Sequence, residues 1–433
     1  MKYFLSGGDL ARGLGVSLLV SSLFLGSGAA GGDWPQWRGP LRDGHAAMNE
    51  AGLQSLPAEL KVKWRLEIGG GFSSPVVQSG KLVYLDSREG SEVAHLVEVE
   101  SGREIWQVPY AESFGDEWGE GPRSTPLMDG EQIYVQSCTG EFRCLNLKDG
   151  KTIWGTSFEK DFGVHFLGNK SNEGTATRRG NSGSPVLEGK RLFLPVGKPE
   201  GGTMVCFDKL TGKVIWKGGE DEAAYSSPMI GTLAGVHQVV YLAADSVMGL
   251  DFETGRQLWR VPLRTNAKRH AATPIIFGDE VLVNSHSFGL LCFHLTREGD
   301  LLSAREKWVN RELKINVSTP AMLGHYLYSQ GELNSKNFVC VDALTGKTQW
   351  KATGFGNIEA STMVVGQNLL VQTDKGELVL VAGNPEKFVE LGRMQDSGAT
   401  WSHPAYSDGR LFVREGTKSG FKLTCFERLS AKP

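Results

Sequence analysis

The 433-residue sequence predicts an all-β fold, a single eight-bladed β-propeller whose blades are four-stranded antiparallel sheets. Two repeated signals lead to this prediction. One is a glycine turn followed four residues later by tryptophan, as in DKLTGKVIW from Asp208 to Trp216. The other is a small pair followed by proline, as in SSP from Ser226 to Pro228. Repeated units of roughly 45 residues, each with four short strands, are typical of propellers.

The glycine turn marks the hairpin between the two outer strands of a unit. An acidic residue or asparagine precedes each tryptophan by eight positions, where its side chain can accept hydrogen bonds from turn amides while glycine takes a positive φ. The tryptophan then lies on the outermost strand and can cover the seam to a neighbouring unit. The glycine and tryptophan pairs are Gly102 and Trp106, Gly150 and Trp154, Gly212 and Trp216, Gly255 and Trp259, and Gly346 and Trp350.

The proline signal marks the start of the innermost strand, because proline costs least at the first residue of a strand, where its missing N–H is not needed. Strand-forming runs such as KLVYL and RLFLP follow it. The series has eight members, which favours eight blades over seven. Six of them are a small pair followed by proline and begin at Ser73, Ser124, Gly183, Ser226, Ala272 and Ser318. STM from Ser361 and SHP from Ser402 complete the series.

The last unit ends at LTCFERL, from Leu423 to Leu429, without its tryptophan strand. ELKVKWRLEI, from Glu59 to Ile68, carries Trp64 eleven residues before Pro75. We expect this N-terminal strand to complete the eighth blade and to close the ring, which removes exposed sheet edges. The predicted organisation is a signal peptide at 1–30, an N-terminal extension at 31–58 and the propeller at 59–430.

The first thirty residues are typical of an export signal. Lys2 and Arg12 supply positive charge, and an apolar stretch from Leu14 ends in the small residues up to Ala30. An uncleaved membrane anchor is the alternative, but the stretch is short and interrupted by serine and glycine. The net charge of −3 argues against nucleic acid as a partner. The sequence therefore predicts a monomeric periplasmic or secreted protein without stable membrane insertion after cleavage.

Five of the six cysteines occupy the same position within their predicted blades. Equivalent positions in different blades lie too far apart around a ring to pair, so these residues are expected to be small buried packing residues. Cys138 falls outside the pattern, and a disulfide with Cys144 in the same hairpin is left open. The five equivalent residues are Cys144, Cys206, Cys292, Cys340 and Cys425.

The Asp-x-x-Thr-Gly-x-x-x-Trp phrase and the Ser-Ser-Pro lead-in resemble the pyrroloquinoline-quinone-like (PQQ-like) β-propeller repeat. DWPQWRGPLRDG at 33–44, GPRSTP at 121–126 and WSHP at 401–404 resemble exported bacterial members of that superfamily. The resemblance covers nearly all of the chain after residue 33. It implies a fold shared by quinoprotein dehydrogenases and by a non-catalytic outer-membrane assembly lipoprotein, so it does not decide function.

The quinoprotein resemblance implies a quinone held against a disulfide of adjacent cysteines and a Ca²⁺ held by Glu, Asn and Asp. The sequence has no Cys-Cys pair and no cluster such as D-x-D-x-D-G. The lipid-bearing cysteine of the assembly lipoprotein is also absent. The favoured hypothesis is therefore a non-catalytic scaffold without cofactor or metal that binds a protein, peptide or carbohydrate through its loop-rich face. The alternative is a PQQ- and calcium-dependent oxidoreductase acting on alcohols or sugars.

Two adjacent links between units, 107–121 and 155–182, are longer than the others, and long loops on a rigid scaffold often carry binding sites. They contain Trp118, His165, Arg178 and Arg179 among other aromatic and charged residues, which suit sugars, peptides or anionic ligands. Two loops that only pack on each other are the alternative. The residues just before the inner strands are predicted to line the mouth of a pocket or of a water-filled channel: Arg123, Asn181, Tyr225, His270, Asn316, Glu359 and Trp401.

Overall fold

The computed structural model describes residues 32–50, 52–166, 179–197, 202–315, 317–331, 335–357, 359–416 and 418–429. These residues form eight four-stranded antiparallel sheets, which confirms the predicted all-β, eight-bladed propeller. Seven buried apolar clusters lie mainly between adjacent sheets and fill the interior of the ring. Among the described residues, no helix is both long and apolar enough to cross a membrane.

In chain order the first strand is β1 (Val62–Glu67), which belongs to the last blade. Blades 1 to 4 follow, with a small hairpin after blade 1 and one short helix after blade 2. Blade 1 consists of β2 (Val76–Gln78), β3 (Lys81–Arg88), β4 (Ser91–Glu98) and β5 (Glu104–Glu112), and the hairpin of β6 (Gly115–Asp116) and β7 (Gly119–Glu120). Blade 2 consists of β8 (Leu127–Asp129), β9 (Gln132–Gln136), β10 (Glu141–Asn146) and β11 (Thr152–Ser157), and the helix is α1 (Phe158–Phe162). Blade 3 consists of β12 (Val186–Glu188), β13 (Arg191–Pro195), β14 (Met204–Asp208) and β15 (Val214–Gly218), and blade 4 of β16 (Met229–Leu233), β17 (Val236–Leu242), β18 (Ser246–Asp251) and β19 (Gln257–Pro262).

Blades 5 to 8 have the same strand order, and β1 completes the last of them. Blade 5 consists of β20 (Ile275–Phe277), β21 (Glu280–Ser285), β22 (Gly289–Glu298) and β23 (Leu301–Asn310), and blade 6 of β24 (Ala321–Leu323), β25 (Tyr326–Gln330), β26 (Asn337–Asp342) and β27 (Thr348–Thr353). Blade 7 consists of β28 (Ala360–Val365), β29 (Asn368–Thr373), β30 (Glu377–Ala382) and β31 (Glu390–Gln395), and blade 8 of β32 (Ala405–Ser407), β33 (Arg410–Glu415) and β34 (Lys422–Phe426) with β1.

The ring is closed as the sequence predicts, because β1 pairs antiparallel with β34 and places Trp64 opposite Cys425. The same pairing recurs in other blades, where Cys144 lies opposite Trp154 and Cys206 opposite Trp216. All six cysteines are free and buried, so Cys138 and Cys144 do not form a disulfide. The repeated cysteine is thus a small residue that leaves room for the tryptophan across the strand pair.

The repeated tryptophans seal the seams between blades. The Trp154 indole of blade 2 donates a hydrogen bond of 2.9 Å to the carbonyl of Lys209 in blade 3 and lies against the turn glycine Gly212. A Cβ on Gly212 would lie 2.5 Å from Trp154 Cε3, and its φ is +70°. Glycine is therefore required at this turn both for its conformation and for space. Trp64, Trp106 and Trp216 make the equivalent contacts with Gly102, Gly150 and Gly255.

Two tryptophans, Trp308 and Trp259, differ from the repeated pattern of a glycine turn followed by an interblade tryptophan contact. Trp308 on β23 packs on Gly346 and donates to the carbonyl of Ala343, although no glycine turn precedes it at the usual spacing. Its hairpin is longer because β22 and β23 each extend over ten residues. Trp259 instead donates to the side chain of Gln238 in its own blade. Trp350 keeps the interblade pattern and donates to Asn384 O.

The turn itself is held by its acidic residue. Asp208 Oδ1 accepts hydrogen bonds from the backbone N–H groups of Leu210 and Thr211, at 3.1 and 2.9 Å. The Thr211 hydroxyl donates to the same oxygen at 2.8 Å. In the next turn of this type, Asp251 Oδ1 accepts the equivalent hydrogen bonds from Glu253 N, Thr254 N and the Thr254 hydroxyl. The phrase is thus a structural element of the blade.

The N-terminal extension lies on the face that carries these turns. Trp34 and Val77 exchange two backbone hydrogen bonds of 2.8 Å beside the first turn of blade 1. Further along, Ala46 N donates to the carbonyl of Val364, and Asn368 Nδ2 donates to the carbonyl of Leu53. We call this face the turn face, and the opposite face, which carries the links from one blade to the next, the loop-rich face.

Candidate functional site

A cavity of about 270 Å³ lies at the centre of the loop-rich face. Inner-strand residues, the two long links and the N-terminal extension all contribute to it. Its aromatic and apolar lining consists of Trp37, Phe72, Trp118, Tyr225, Ala271, Val317 and Trp401. Its polar lining consists of Ser74, Arg123, Arg179, Ser182, Ser184, Ser227, Arg269, Glu359 and His403.

The proline lead-ins bring the inner strands together around the cavity. The middle residue of one lead-in accepts a hydrogen bond from the backbone of the preceding blade. Thr125 N donates to Ser184 Oγ at 3.0 Å, and Ser184 N donates to Ser227 Oγ at 2.9 Å. These hydroxyls are buried, so they fix the geometry of the inner ring. The small-small-Pro signal therefore builds the frame on which the site rests.

The extension closes the bottom of the cavity. Trp37 Nε1 donates to Thr273 Oγ1 at 2.9 Å, and the Trp37 ring packs against His403 with their centroids 4.5 Å apart. Below it, Arg42 donates to the carbonyls of Pro185 and Pro228, at 2.7 and 3.2 Å. The N-terminal extension thus closes the central channel on the side of the turn face.

Arginines suit this floor because each guanidinium can satisfy several buried carbonyls. Arg38 donates to the carbonyl of Pro320 at 2.7 Å and also to that of Asp43. Burial lowers the pKa of Arg38 to about 10 and that of Arg42 to about 9, so both are charged at neutral pH. Burial, together with the charge of Arg38, lowers the pKa of His403 to about 3. His403 is therefore a neutral wall residue across the physiological range.

Aromatic rings form one wall of the cavity. The Trp118 and Trp401 ring centroids are 5.3 Å apart, and Phe72 stacks on Trp401 at 5.6 Å. Trp118 is 40% exposed, so its ring is available to a ligand at the mouth. Arg179 lies over Trp118 at 5.6 Å and Arg123 over Phe72 at 5.4 Å. These rings and guanidinium planes form flat surfaces of the kind that bind flat ligand faces.

The two long links are locked together by one carboxylate. Asp116 accepts from Arg123 Nη2 at 2.8 Å and from Arg179 Nη1 at 3.1 Å, and Arg179 also pairs with Glu117 at 2.5 Å. Although burial opposes ionisation, the hydrogen bonds from Arg123 and the other partners hold the pKa of Asp116 below its usual value. Phe114 and Phe166 also meet edge to face at 4.9 Å. The charges of Arg123 and Arg179 are therefore matched inside the protein.

Arg269 and Glu359 differ from these paired groups. Both line the cavity, and among the described residues neither side chain has a hydrogen-bond or ion-pair partner. Arg269 Nε is buried and unbonded. Burial, with a smaller contribution from Asp374, raises the pKa of Glu359 to about 8. Within the described part of the chain, the cavity thus presents one guanidinium without a partner and, at neutral pH, one protonated carboxyl group.

The structure brings six of the eleven predicted site residues to the cavity: Trp118, Arg123, Arg179, Tyr225, Glu359 and Trp401. Asn181 and His270 are buried behind it, where Asn181 Nδ2 donates to the carbonyl of Cys138 and His270 Nδ1 bonds the carbonyl of Ala243. His165 is exposed and pairs with Glu159. Arg178 and Asn316 lie outside the described residues.

Several lining residues were not predicted from the sequence. Phe72 could have been found, because it directly precedes the first lead-in as Arg123 and Tyr225 precede theirs. Trp37 belongs to the phrase DWPQWRGP, which was noted only as a resemblance. Arg269 lies within one of the short links and carried no signal that distinguished it.

The residues of the cavity do not fit a calcium-held quinone. Glu359 is the single carboxyl group among the described lining residues, whereas Ca²⁺ usually takes about six to eight oxygen ligands. In the described part of the chain, no three His, Cys, Asp or Glu side chains are grouped so that they could hold a metal ion. The six cysteines are separate buried thiols, so no disulfide flanks the cavity.

Comparisons with known proteins place the chain among PQQ-like propellers. The sequence profile of the family described as outer membrane protein assembly factor BamB matches residues 54–165 and 168–387. A polyvinylalcohol dehydrogenase from a Pseudomonas species is 21% identical over 262 residues, which are 52% of this chain. The chain spans 40% of that relative's length.

Solved structures agree on the fold. BamB from Moraxella catarrhalis has a TM-score of 0.57 at 14% identity, covering 85% of this chain and 100% of that chain. The quinohemoprotein alcohol dehydrogenase from Comamonas testosteroni has a TM-score of 0.64 at 14% identity, covering 92% of this chain and 81% of that chain. One relative is thus an assembly factor and the other an oxidoreductase, so the shared fold leaves function to the site.

Proposed function

The chain belongs to the family of the outer membrane protein assembly factor BamB, and within this family we propose a non-catalytic role in which the propeller binds a carbohydrate in the central cavity. The observation that carries the proposal is the cavity itself. It is closed below by Trp37 and Arg42 and walled on one side by aromatic rings.

The shape favours a carbohydrate over a folded protein as the ligand in this cavity. A pocket of about 270 Å³ that is closed at its floor suits one or two sugar rings, whereas a protein partner needs a broad surface. A sugar ring has an apolar C–H face that can lie on Trp118 or Trp401, and its hydroxyl groups can reach serine, tyrosine and arginine side chains. The mixture of flat aromatic and polar side chains meets both needs.

Binding tests this proposal directly. Isothermal titration of the purified protein with a panel of neutral and acidic oligosaccharides is expected to give a saturable isotherm with at least one member. Trp118→Ala should weaken that binding by about tenfold or more, because an exposed stacking surface is lost. Leu210→Ala, a truncation of another exposed apolar side chain on the turn face, is the control and should bind as the wild type does.

The absence of binding to every sugar, or equal binding by the Trp118→Ala variant, would refute the proposal. An oxidoreductase role is tested in parallel by incubating the protein with PQQ and Ca²⁺ and measuring dye reduction with alcohols and sugars. We expect no reduction, because the described residues of the cavity do not provide a calcium donor set. Quinone-dependent reduction would instead favour the alternative.

We also propose that the protein acts after export, in the periplasm or outside the cell, as a monomer. The charged start and apolar stretch of residues 1–30 support this location, although these residues lie outside the described part of the chain. The name of the family refers to the outer membrane, which agrees with an exported protein. Mass spectrometry of the secreted or periplasmic protein should find Gly31 as its first residue.

A further inference from the structure

Among the arginines that line the cavity, Arg269 is the one whose guanidinium has no ion-pair partner in the part of the chain that the structure describes. Arg123 and Arg179 share Asp116 and Glu117, whereas the guanidinium of Arg269 has no partner among the described residues. A half-buried, unpaired guanidinium loses hydration without regaining hydrogen bonds, which is unfavourable unless a ligand supplies the acceptors. Arg269 Nε is buried and has no acceptor among the described residues.

The backbone around Arg269 is held firmly. His270 Nδ1 bonds the carbonyl of Ala243 at 2.8 Å, and the His270 carbonyl accepts from Tyr225 N at 3.0 Å. His270 itself is buried, so this short link is anchored to blade 4 on both its side chain and its backbone. The backbone from which the Arg269 side chain extends is therefore fixed before a ligand arrives, which lowers part of the entropic cost of binding.

From these observations we infer that the cavity takes a carboxylate-bearing sugar, with the sugar carboxylate against Arg269 and the ring against the aromatic wall. This inference rests on the proposed carbohydrate-binding function. A guanidinium matches a carboxylate with two parallel hydrogen bonds, which gives both affinity and orientation. Neutral sugars lack the group that would satisfy Arg269.

Glu359 is compatible with such a ligand. It lies on blade 7, two blades away from Arg269 on blade 5, and Asp374 is the charged group that contributes to its environment. Burial raises the pKa of Glu359 to about 8, so at neutral pH it carries no charge that would repel a sugar carboxylate. In its protonated form it can donate a hydrogen bond to a sugar hydroxyl or ring oxygen.

The experiment compares trigalacturonate with the same trisaccharide after reduction of its carboxyl groups to alcohols. Titration calorimetry at pH 7 should show the acidic form binding about tenfold or more tightly, as a charged hydrogen-bonded pair requires. Arg269→Gln should remove this preference, because it lowers the affinity for the acidic trisaccharide far more than that for the reduced one. Arg256→Gln, an exposed arginine on the turn face, is the matched control and should keep the preference.

The outcomes separate this inference from the proposed function. Equal affinity for the two trisaccharides, or an equal loss for both in the Arg269→Gln variant, would overturn the inference while leaving carbohydrate binding intact. Binding of neither form, nor of any other sugar, would overturn both. Tighter binding of an oligoglutamate peptide than of trigalacturonate would identify an acidic peptide as the ligand and refute the sugar. Thermal unfolding of each variant must match the wild type within a few degrees for the comparison to count.

Discussion

The two faces of the ring are built from the same eight blades but differ in kind. On the turn face, hairpins such as the one at Asp208 and the one at Asp251 repeat the same hydrogen bonds. On the loop-rich face, the links differ in length and carry arginine, tryptophan and glutamate at unequal positions around the cavity. The regular face holds the ring together, and the irregular face provides the chemistry. Substitutions on the turn face should therefore lower the stability of the fold, whereas substitutions of cavity residues on the loop-rich face should change ligand binding.

The largest loss of stability is expected from Arg42 in the N-terminal extension, which joins the two faces through the central channel. Arg42→Met would leave the carbonyls of Pro185 and Pro228 without donors in the buried channel. The free energy of unfolding should fall by about 4 kcal/mol, because several buried acceptors lose a charged partner. Chemical denaturation measures this loss, and Arg256→Met on the exposed surface is the control. A loss below about 1 kcal/mol would show that the hydrogen bonds of Arg42 do not stabilise the ring.

A somewhat smaller loss is expected at a seam of the turn face. Gly212→Ala would place a Cβ 2.5 Å from Trp154 in a backbone with φ of +70°, so strain and overlap both act. We expect a loss of about 3 kcal/mol in unfolding free energy. Gly189→Ala is the matched control, since Gly189 has φ of +60° but nothing within 4 Å of the new Cβ. Its loss should be about 1 kcal/mol, and equal losses would contradict the seam contact.

The sequence was sufficient for the turn face because its signals are local. Asp208, Gly212 and Trp216 lie within nine residues, so their spacing alone predicts the turn and the seam. Trp308 was harder to identify because its long hairpin lacks the glycine turn.

The sequence was less informative for the cavity. Arg42 binds the carbonyl of Pro185, 143 positions away, and a backbone carbonyl leaves no trace in the residue type. Loop length correctly pointed to the region of Trp118 and Arg179, but it gave no reason to select Arg269 in a short link. Pairing with Asp116 is what separates Arg179 from Arg269, and pairing is visible only in three dimensions.

On the loop-rich face, Glu359 should make stability depend on pH. Its pKa of about 8 in the folded protein lies above that of a carboxyl group in the unfolded chain, so the folded state retains the proton longer. The stability that Glu359 contributes is present below pH 4 and is lost as pH rises through 8. Glu359→Gln should flatten this slope and stabilise the protein at pH 9 by about 2 kcal/mol, allowing for partial solvent access. Denaturation at pH 5 and pH 9 measures the slope, and the exposed Glu386→Gln should leave it unchanged.

The smallest effect is expected from Asp208, although an acidic residue or asparagine occupies the equivalent position in four other blades. Its Oδ1 accepts from Leu210 N, Thr211 N and the Thr211 hydroxyl, but the turn is exposed and water can replace each bond. Asp208→Ala should therefore cost only about 1 kcal/mol, and Asp208→Asn, which keeps an acceptor oxygen, about half of that. Carbohydrate binding should be unchanged in both variants, since this turn lies on the face opposite the cavity. A change in binding larger than about twofold would mean that the two faces are coupled, and the division between framework and site would have to be abandoned.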